Sequence, residues 1–430
     1  MKQYSMTNVY EAACKRMEFI FDEFENIVVS FSGGKDSGVV LNMAIDEARK
    51  RGRKIGAVFI DLEAWYQKSE EYIRRMFEKN LDVLEPMWIC LPMESPNSLS
   101  YLEPTWIWWD QEKRDLWVRP MPDNPWVINE ENNPISFYRK NMTFEEFVIH
   151  FADWWGHGEK TASLLGLRAD ESLNRYRAVT SGKKTYRGLS YSTLVKNQTY
   201  NFYPIYDWGT EDIWIYNGKF QKDYNALYDL FFYSGVSIHK MRVDEPFGNE
   251  AKAGLNLFRV IEPDTWARVV NRVSGANFGN IYHGQRIMSS SYKLPKNHTW
   301  KSFTMFLLDT LPEETANNYR TKFRKFTEYW MKTGCPMKVE HVDILENKYP
   351  EFIVNTHSPG NRGKGDKELI KFTGIPDEIP GVDNQDDALS WKRMCMCIIK
   401  NDWVCKSLSF SITKDMREKR ARVLEKYKNL

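Results

Sequence analysis

The stretch Val28-Val29-Ser30-Phe31-Ser32-Gly33-Gly34-Lys35-Asp36-Ser37 decides how the rest of the chain reads. Ile27, Val28 and Val29 are β-branched and apolar, as a buried strand requires. Gly33 and Gly34 lack Cβ atoms, so the backbone can bend sharply and approach an anion closely. From Asp36 onward the apolar residues Val39, Val40, Met43, Ala44 and Ala48 recur at helical spacing. A strand, a tight turn and a helix start therefore follow one another. The unbonded N–H groups and dipole at such a helix start favour a phosphate. Lys35 adds a mobile positive charge, and Ser30, Ser32 and Ser37 offer hydroxyls.

The flanking sequence extends this unit. Upstream, residues 5–25 predict a helix with Val9, Ala12, Ala13, Met17, Ile20 and Phe21 on one face. Downstream, the helix over 36–51 is closed by Arg51-Gly52, and a strand over Ile55–Asp61, a helix over 67–80 and an apolar run over Val83–Leu91 follow. Alternating strands and helices predict an α/β fold with a doubly wound parallel sheet, its ligand at the carboxyl ends of the strands. Asp61 falls at one such end, placed either for a ribose, a magnesium ion or an adenine amine, or simply as a helix cap.

Residues 95–140 interrupt the pattern. Pro96, Pro104, Pro120, Pro122, Pro125 and Pro134 exclude long helices. Trp106, Trp108, Trp109, Trp117 and Trp126 interleave with Lys113, Arg114 and Arg119. They read as an insertion folded on its own tryptophans in preference to an aromatic, basic surface for a nucleotide or nucleic acid. A helix over Phe144–Trp155 and a strand over Thr161–Leu167 then lead into Arg168, Arg175 and Arg177. Three arginines behind a strand end form a candidate anion clamp, although they also suit a solvated helix face. Thr210 is the expected N-cap of the next helix, with Glu211 and Asp212 in its first turn.

The 430 residues suffice for two or three domains, and 42% hydrophobic with 27% charged residues is an ordinary soluble composition. A net charge of +2 excludes a polyanion partner bound by bulk charge alone. The six cysteines need no disulfide framework, the amino terminus lacks an apolar signal core and no run matches a membrane span, so a reducing, cytoplasmic setting is expected. The division expected is 1–235 for the nucleotide-binding half, carrying the 95–140 insertion, and 236–430 for a mainly helical second half. In that half, helices are expected over Ala251–Val260, Asp264–Val273, Phe303–Leu308 and Glu313–Lys332. Residues 355–388, rich in Gly, Pro and Asp, read as a long loop, and Lys414–Leu430 as a basic helix with a solvated face.

Ser32-Gly33-Gly34-Lys35-Asp36-Ser37 is not a Walker A loop: Lys35 is followed by Asp36, and Val29 stands where the first glycine belongs. It resembles the PP-loop of the ATP-pyrophosphatase superfamily, in which the loop holds the β,γ-pyrophosphate of ATP or an equivalent anion. With Gly166-Leu167-Arg168-Ala169-Asp170-Glu171-Ser172 and Pro204-Ile205-Tyr206-Asp207-Trp208, the order of motifs resembles the phosphoadenosine-phosphosulfate (PAPS) reductase family, which includes the small subunit of bacterial ATP sulfurylase. The resemblance implies an adenine nucleotide over the sheet, with Arg168, Arg175 and Arg177 facing phosphate or sulfate. In the second half, Asp244-Glu245-Pro246-Phe247-Gly248 and Asn271-Arg272-Val273-Ser274-Gly275-Ala276-Asn277-Phe278-Gly279 resemble the carboxy-terminal domain of immunoglobulin-binding regulator A and its phage and bacterial relatives. Those relatives are often encoded beside a ParB-like partner.

The reductase's catalytic cysteine in a Glu-Cys-Gly-Leu-His type tail is missing here. Cys395, Cys397 and Cys405 supply three thiolates, short of a four-ligand structural zinc site, and read as buried structural thiols. The residues expected to touch nucleotide are Ser30, Ser32, Gly33, Gly34, Lys35, Asp36, Ser37, Asp61, Arg168, Arg175 and Arg177, with Lys35, Asp36 and Arg168 as catalytic candidates and no protein metal site. The expected reaction is adenylyl transfer from ATP, or a PAPS-like nucleotide, with Mg2+ and pyrophosphate release. The alternatives are a thiol-dependent sulfonucleotide reductase and a non-catalytic nucleotide sensor acting with a ParB-like protein. Arg242 and Arg272 are the candidates for reaching the nucleotide from the second half, as part of a lid, or else are structural.

Overall fold

A computed structural model describes residues 6–99, 103, 105–180, 184–248, 255–273, 294, 298–311, 313–359, 367–380, 382, 388–400, 402 and 404–410. The chain divides into two compact units: Met1–Ser95, Ile107–Pro246 and Gly254–Arg272 form the first, and Pro96–Trp106, Phe247–Ala253 and Val273–Leu430 the second.

In the first unit, α1 (Val9–Glu23) starts where the Asn8 side chain accepts from the Glu11 amide at 2.9 Å, and it buries Ala13, Met17, Ile20 and Phe21. β1 (Asn26–Ser30) carries the apolar run into the sheet, and α2 (Lys35–Arg51) ends at Gly52 in the left-handed conformation, as the sequence predicts. β2 (Ile55–Ile60), α3 (Gln67–Glu78) and β3 (Leu84–Ile89) follow in the expected order. β4 (Met93–Pro96) and β5 (Thr105–Trp108) stand outside the main sheet, and β6 (Val127–Ile128) joins its edge. α4 (Phe144–Trp155) begins with a capping box between Thr143 and Glu146. β7 (Thr161–Leu165), α5 (Leu173–Thr180), β8 (Ser192–Lys196) and β9 (Thr199–Phe202) complete the sheet.

The seven strands lie in the order β6-β3-β2-β1-β7-β9-β8. All neighbours are parallel except β8, which runs antiparallel to β9. Val28 of β1 sits opposite Gly56 of β2 and Ser163 of β7. From β1 the chain first builds outward through β2 and β3, then returns to place β7 on the other side of β1. The switch point of this doubly wound sheet is therefore the crevice between the carboxyl ends of β1 and β7, where open α/β sheets bind ligands.

α6 (Thr210–Lys219) is capped by Gly209, not Thr210: the Gly209 amide donates to the Asp212 carboxylate at 2.7 Å, and Thr210 is already helical. α7 (Leu227–Tyr233), α8 (Leu255–Ile261) and α9 (Pro263–Arg272) finish the first unit. Glu262, between α8 and α9, accepts from the Gln67 and Lys68 amides at the start of α3, at 2.9 and 3.3 Å. Tyr66 stacks on Phe258 at 3.7 Å between ring centroids.

The second unit holds α10 (Trp300–Thr310), α11 (Glu313–Lys332), α12 (Val339–Lys348) and α13 (Trp391–Ile399), with a three-stranded antiparallel sheet ordered β10-β12-β11. β10 spans Cys335–Lys338, β11 Ile353–Pro359 and β12 Lys367–Phe372. Tyr319, Trp330, Leu345, Ile370, Phe372, Cys397 and Cys405 share its core. The sheet corrects the reading of 355–388 as one long loop. β12 buries Ile370 and Phe372 around Lys371, only two apolar positions, and the register of β11 shifts between Asn355 and Pro359, so no clean alternation reaches the sequence. The expected helix over Lys414–Leu430 lies outside the described residues. Among the described residues, no helix is long and apolar enough to cross a membrane.

Candidate functional site

The β1–α2 turn is built by local sterics and closed by distant side chains. Gly33 has φ +72°, and a Cβ there would lie 2.9 Å from Ile73 Cδ1, so only glycine fits without strain. The Ser32 amide donates to Ser37 Oγ at 3.2 Å, the two hydroxyl oxygens are 3.0 Å apart, and Ser37 Oγ donates to the Gly34 carbonyl at 3.1 Å. Asn225 Nδ2 donates to the Gly33 carbonyl at 3.0 Å and to Ser69 Oγ at 2.9 Å. Gly166, just past β7, allows a second close approach: a Cβ would meet the Ser37 amide nitrogen at 2.5 Å.

Within α2 the first intrahelical bond runs from the Gly38 amide to the Gly34 carbonyl, so the amides of Lys35, Asp36 and Ser37 precede it. That of Lys35 donates to Tyr228 Oη at 3.0 Å. Burial, followed by the Asp36 charge, raises the Tyr228 phenol well above its ordinary value, so it stays protonated.

The charged groups of the turn converge. Lys35 Nζ lies 3.0 Å from one oxygen of Asp36, and Arg168 Nε lies 2.6 Å from the other. The Lys35 and Arg168 side chains are 5% and 2% exposed. Arg168 also donates to the Trp208 carbonyl and to Thr210 Oγ1, at 3.3 and 3.4 Å, and Lys35 to the Met241 carbonyl at 3.4 Å. Lys35, Asp36 and Arg168 are thus brought together at the switch point, with Ser32, Gly33, Gly34 and Ser37 around them. Ser30, half-buried, ends β1 beside Leu165 of β7.

Two other groups are placed elsewhere. Arg175 Nε pairs with Glu171 at 2.9 Å, and Arg242 reaches the other oxygen of Glu171 at 2.6 Å; Arg177 lies half-buried farther along α5. Asp61 directly follows β2, one residue past the strand's last position, and its carboxylate is fully buried. Trp88 Nε1 donates to it at 2.7 Å, Arg119 Nη2 pairs with the same oxygen, and the Glu63 amide takes the other at 2.9 Å. The role expected for Asp61 at a ribose, magnesium ion or adenine is replaced by a structural one, because both of its oxygens are committed to its own neighbours.

Arg272 likewise does not serve a lid. It forms a bidentate pair with Glu63 at 2.7 and 3.0 Å, and its side chain is 1% exposed. Glu63 adopts φ +64° and also accepts from the Trp109 and Val118 amides. Sequence reasoning missed Glu63, Asn225 and Tyr228. Each stands in an unremarkable local pattern and acquires its role from a partner far along the chain.

The thiols are closed off. Cys395, Cys397 and Cys405 are all fully buried. Burial pushes the Cys395 thiol up to about 12, and burial together with a hydrogen bond to Cys405 raises Cys397 well above its ordinary value. No group of three or more metal-ligating side chains occurs among the described residues. Iodoacetamide at about pH 8, near the ordinary thiol pKa, is expected to leave Cys395 and Cys397 unmodified in the folded protein. Peptide mass spectrometry checks this, and native labelling at either position would reopen the reductase alternative.

Comparison with known proteins adds a family. The profile described as "Phosphoadenosine phosphosulfate reductase domain" matches residues 117–235, and that described as "Domain of unknown function (DUF3440)" matches residues 235–419. Among solved structures, the chain is similar to the PAPS reductase of Candida auris in its phosphate complex, at 14% identity and TM-score 0.30, over 53% of this chain and 93% of that one. It is similar to the FMN adenylyltransferase of Candida glabrata with FAD and inorganic pyrophosphate, at 15% identity and TM-score 0.30, over 53% and 64%. It is similar also to the NH3-dependent NAD synthetase of Campylobacter jejuni, at 14% identity and TM-score 0.26, over 67% and 97%. The uncharacterized protein YbdN of Escherichia coli (strain K12) is 34% identical over 420 residues, 96% of this chain and 93% of that protein. Likeness of that degree along nearly the whole of both proteins, with the PAPS reductase domain match inside it, means that the chain belongs to the YbdN family of PAPS reductase-domain proteins.

Proposed function

We propose that the protein is a PP-loop enzyme that binds ATP, or a related adenine nucleotide, and transfers its adenylyl group to an acceptor with release of pyrophosphate. The observation that carries this reading is the convergence of Lys35 and Arg168 on Asp36 at the head of α2. Two nearly buried cations held by one carboxylate form a pair of charges that a pyrophosphate group, with more oxygens and more charge, can take over.

In the reaction, an acceptor oxygen forms a bond to the α-phosphorus while the bond from that phosphorus to the bridging oxygen breaks. Pyrophosphate leaves with the electron pair, and the acceptor's proton passes to solvent. Lys35, Arg168 and the Asp36 and Ser37 amides of α2 stabilise the negative charge that develops on the leaving group, and the burial of the two cations strengthens that effect. Magnesium would enter on the nucleotide's own phosphates, with Asp36 as the loop carboxylate able to join it, and would neutralise part of the same charge. Arg175 and Arg177 on α5 are proposed to contact the nucleotide's anionic end after Glu171 releases Arg175. The buried free thiols suit a reducing, cytoplasmic setting.

Replacing Lys35 by alanine removes a charge-assisted contact worth about 1.5–3 kcal/mol. Calorimetric ATP affinity is therefore expected to fall by roughly tenfold or more. Unchanged affinity would place the nucleotide elsewhere. Binding without any pyrophosphate release in the presence of candidate acceptors would favour the sensor alternative.

A further inference from the structure

The first unit holds a cavity of about 740 Å3 that the nucleotide reading does not use. Its walls come from the 3-10 segment Gln111–Leu116 and the residues after it, and from α9. Arg114, Trp117, Arg119, Met121, Arg268 and Asn271 line it. This volume is that of a small-molecule site.

Three features suit it to a ligand. Arg114 and Arg268 are exposed and form no ion pair among the described residues, while Asp115 is the single carboxylate in the wall. Arg119, 8% exposed, is held from behind by Asp61 and by Glu70 at 3.2 Å, and its Nε finds no hydrogen-bond acceptor. Trp117 donates its indole N–H to the Asp110 carbonyl at 2.9 Å and packs edge-on against Trp109 at 5.0 Å, which fixes the ring. The Arg114 guanidinium lies 5.6 Å from the Trp117 ring centroid. Arg268 donates to the Val118 carbonyl at 3.5 Å, so neither it nor Arg114 is neutralised by a carboxylate among the described residues; a fixed indole with two such guanidiniums in the same wall suits a ligand that is both planar and anionic.

The cavity is tied to the carboxyl end of β2 through the Arg119–Asp61 pair, and β2 neighbours β1, which carries the glycine turn. Adjacent strands are about 4.8 Å apart, so both sites occupy one edge of the sheet. We infer that this cavity binds a small organic anion bearing a planar ring, and that this ligand is the acceptor. Its role as acceptor rests on the adenylyl-transfer reading; its binding does not.

The test is calorimetric titration of the full-length protein with phenyl phosphate, in parallel with ATP. Variants are an Arg114→Ala/Arg268→Ala double change, at exposed positions whose folding circular dichroism can verify, and Lys35→Ala. Saturable binding to the native protein is expected, weakened by roughly tenfold or more in the double variant and unchanged in Lys35→Ala. The proposal is overturned if the native protein shows no saturable heat up to about 10 mM, or if the double variant binds as well as the native protein. It is overturned equally if Lys35→Ala alone abolishes binding, since phenyl phosphate then occupies the glycine turn. Phenyl phosphate binding with the expected variant pattern but no ATP binding would support the cavity and refute the enzymatic reading.

Discussion

Urea denaturation of an Arg272→Ala variant is expected to show a loss of about 3–5 kcal/mol in stability. The side chains of Arg272 and Glu63 are 1% and 0% exposed, and the pair is bidentate at 2.7 and 3.0 Å. Arg272 also donates to the Ile107 carbonyl at 2.6 Å. Without the guanidinium, the Glu63 carboxylate remains buried with only the Trp109 and Val118 amides to solvate it. The cost arises from that stranded charge more than from the lost pair. A second variant, Glu63→Gln with Arg272→Met, tests this: the neutral amide removes the stranded charge while its one oxygen accepts from only one of the two N–H groups, so part of the loss should be regained. Equal instability of the single and double variants would show that the buried charge is not its source.

The second large effect is expected on binding. In a Gly166→Ala variant the new methyl group would lie 2.5 Å from the Ser37 nitrogen, 2.6 Å from the Asp36 carbonyl carbon and 2.7 Å from Ser37 Cα. All three are backbone atoms, so no side chain can swing aside and the head of α2 must move. Overpacking of this kind costs about 1–3 kcal/mol. If that cost is borne by the anion-binding geometry, ATP affinity should drop by about 5- to 150-fold. Ser at the same position should behave alike, whereas Gly218→Ala, whose Cβ would meet nothing within 4 Å, should leave affinity alone. A Gly166→Ala protein that binds ATP normally would detach the turn from nucleotide binding.

The sequence made the glycine turn and the strand–helix alternation legible because each is written within a few consecutive residues. Gly33 needs a positive φ, β1 needs three β-branched residues, and the helix face repeats every three or four positions. Arg168 was visible for the same reason, as a charge directly behind a strand. What sets their partners is not local. Tyr228 meets Lys35 across 193 residues of chain, Asn225 meets Gly33 across 192, and Arg272 meets Glu63 across 209. Asp61 misled because a carboxylate at a strand end has the same sequence context whether it faces a ligand or, as here, Trp88 and Arg119. The antiparallel sheet of the second unit was obscured because β12 buries only alternate apolar residues and β11 contains an irregular pairing.

The placement of α8 and α9 has a consequence for inheritance. The two family profiles meet at residue 235, yet the segment 254–272 folds with the unit that contains the first profile's match, carrying Glu262 to the head of α3 and Arg272 to Glu63. A gene divided at that junction would encode a first half with an orphaned internal carboxylate and an uncapped helix. Recombination could not trade the halves as independent cassettes. Selection should therefore keep both in one reading frame, and naturally occurring fissions should fall beyond codon 272.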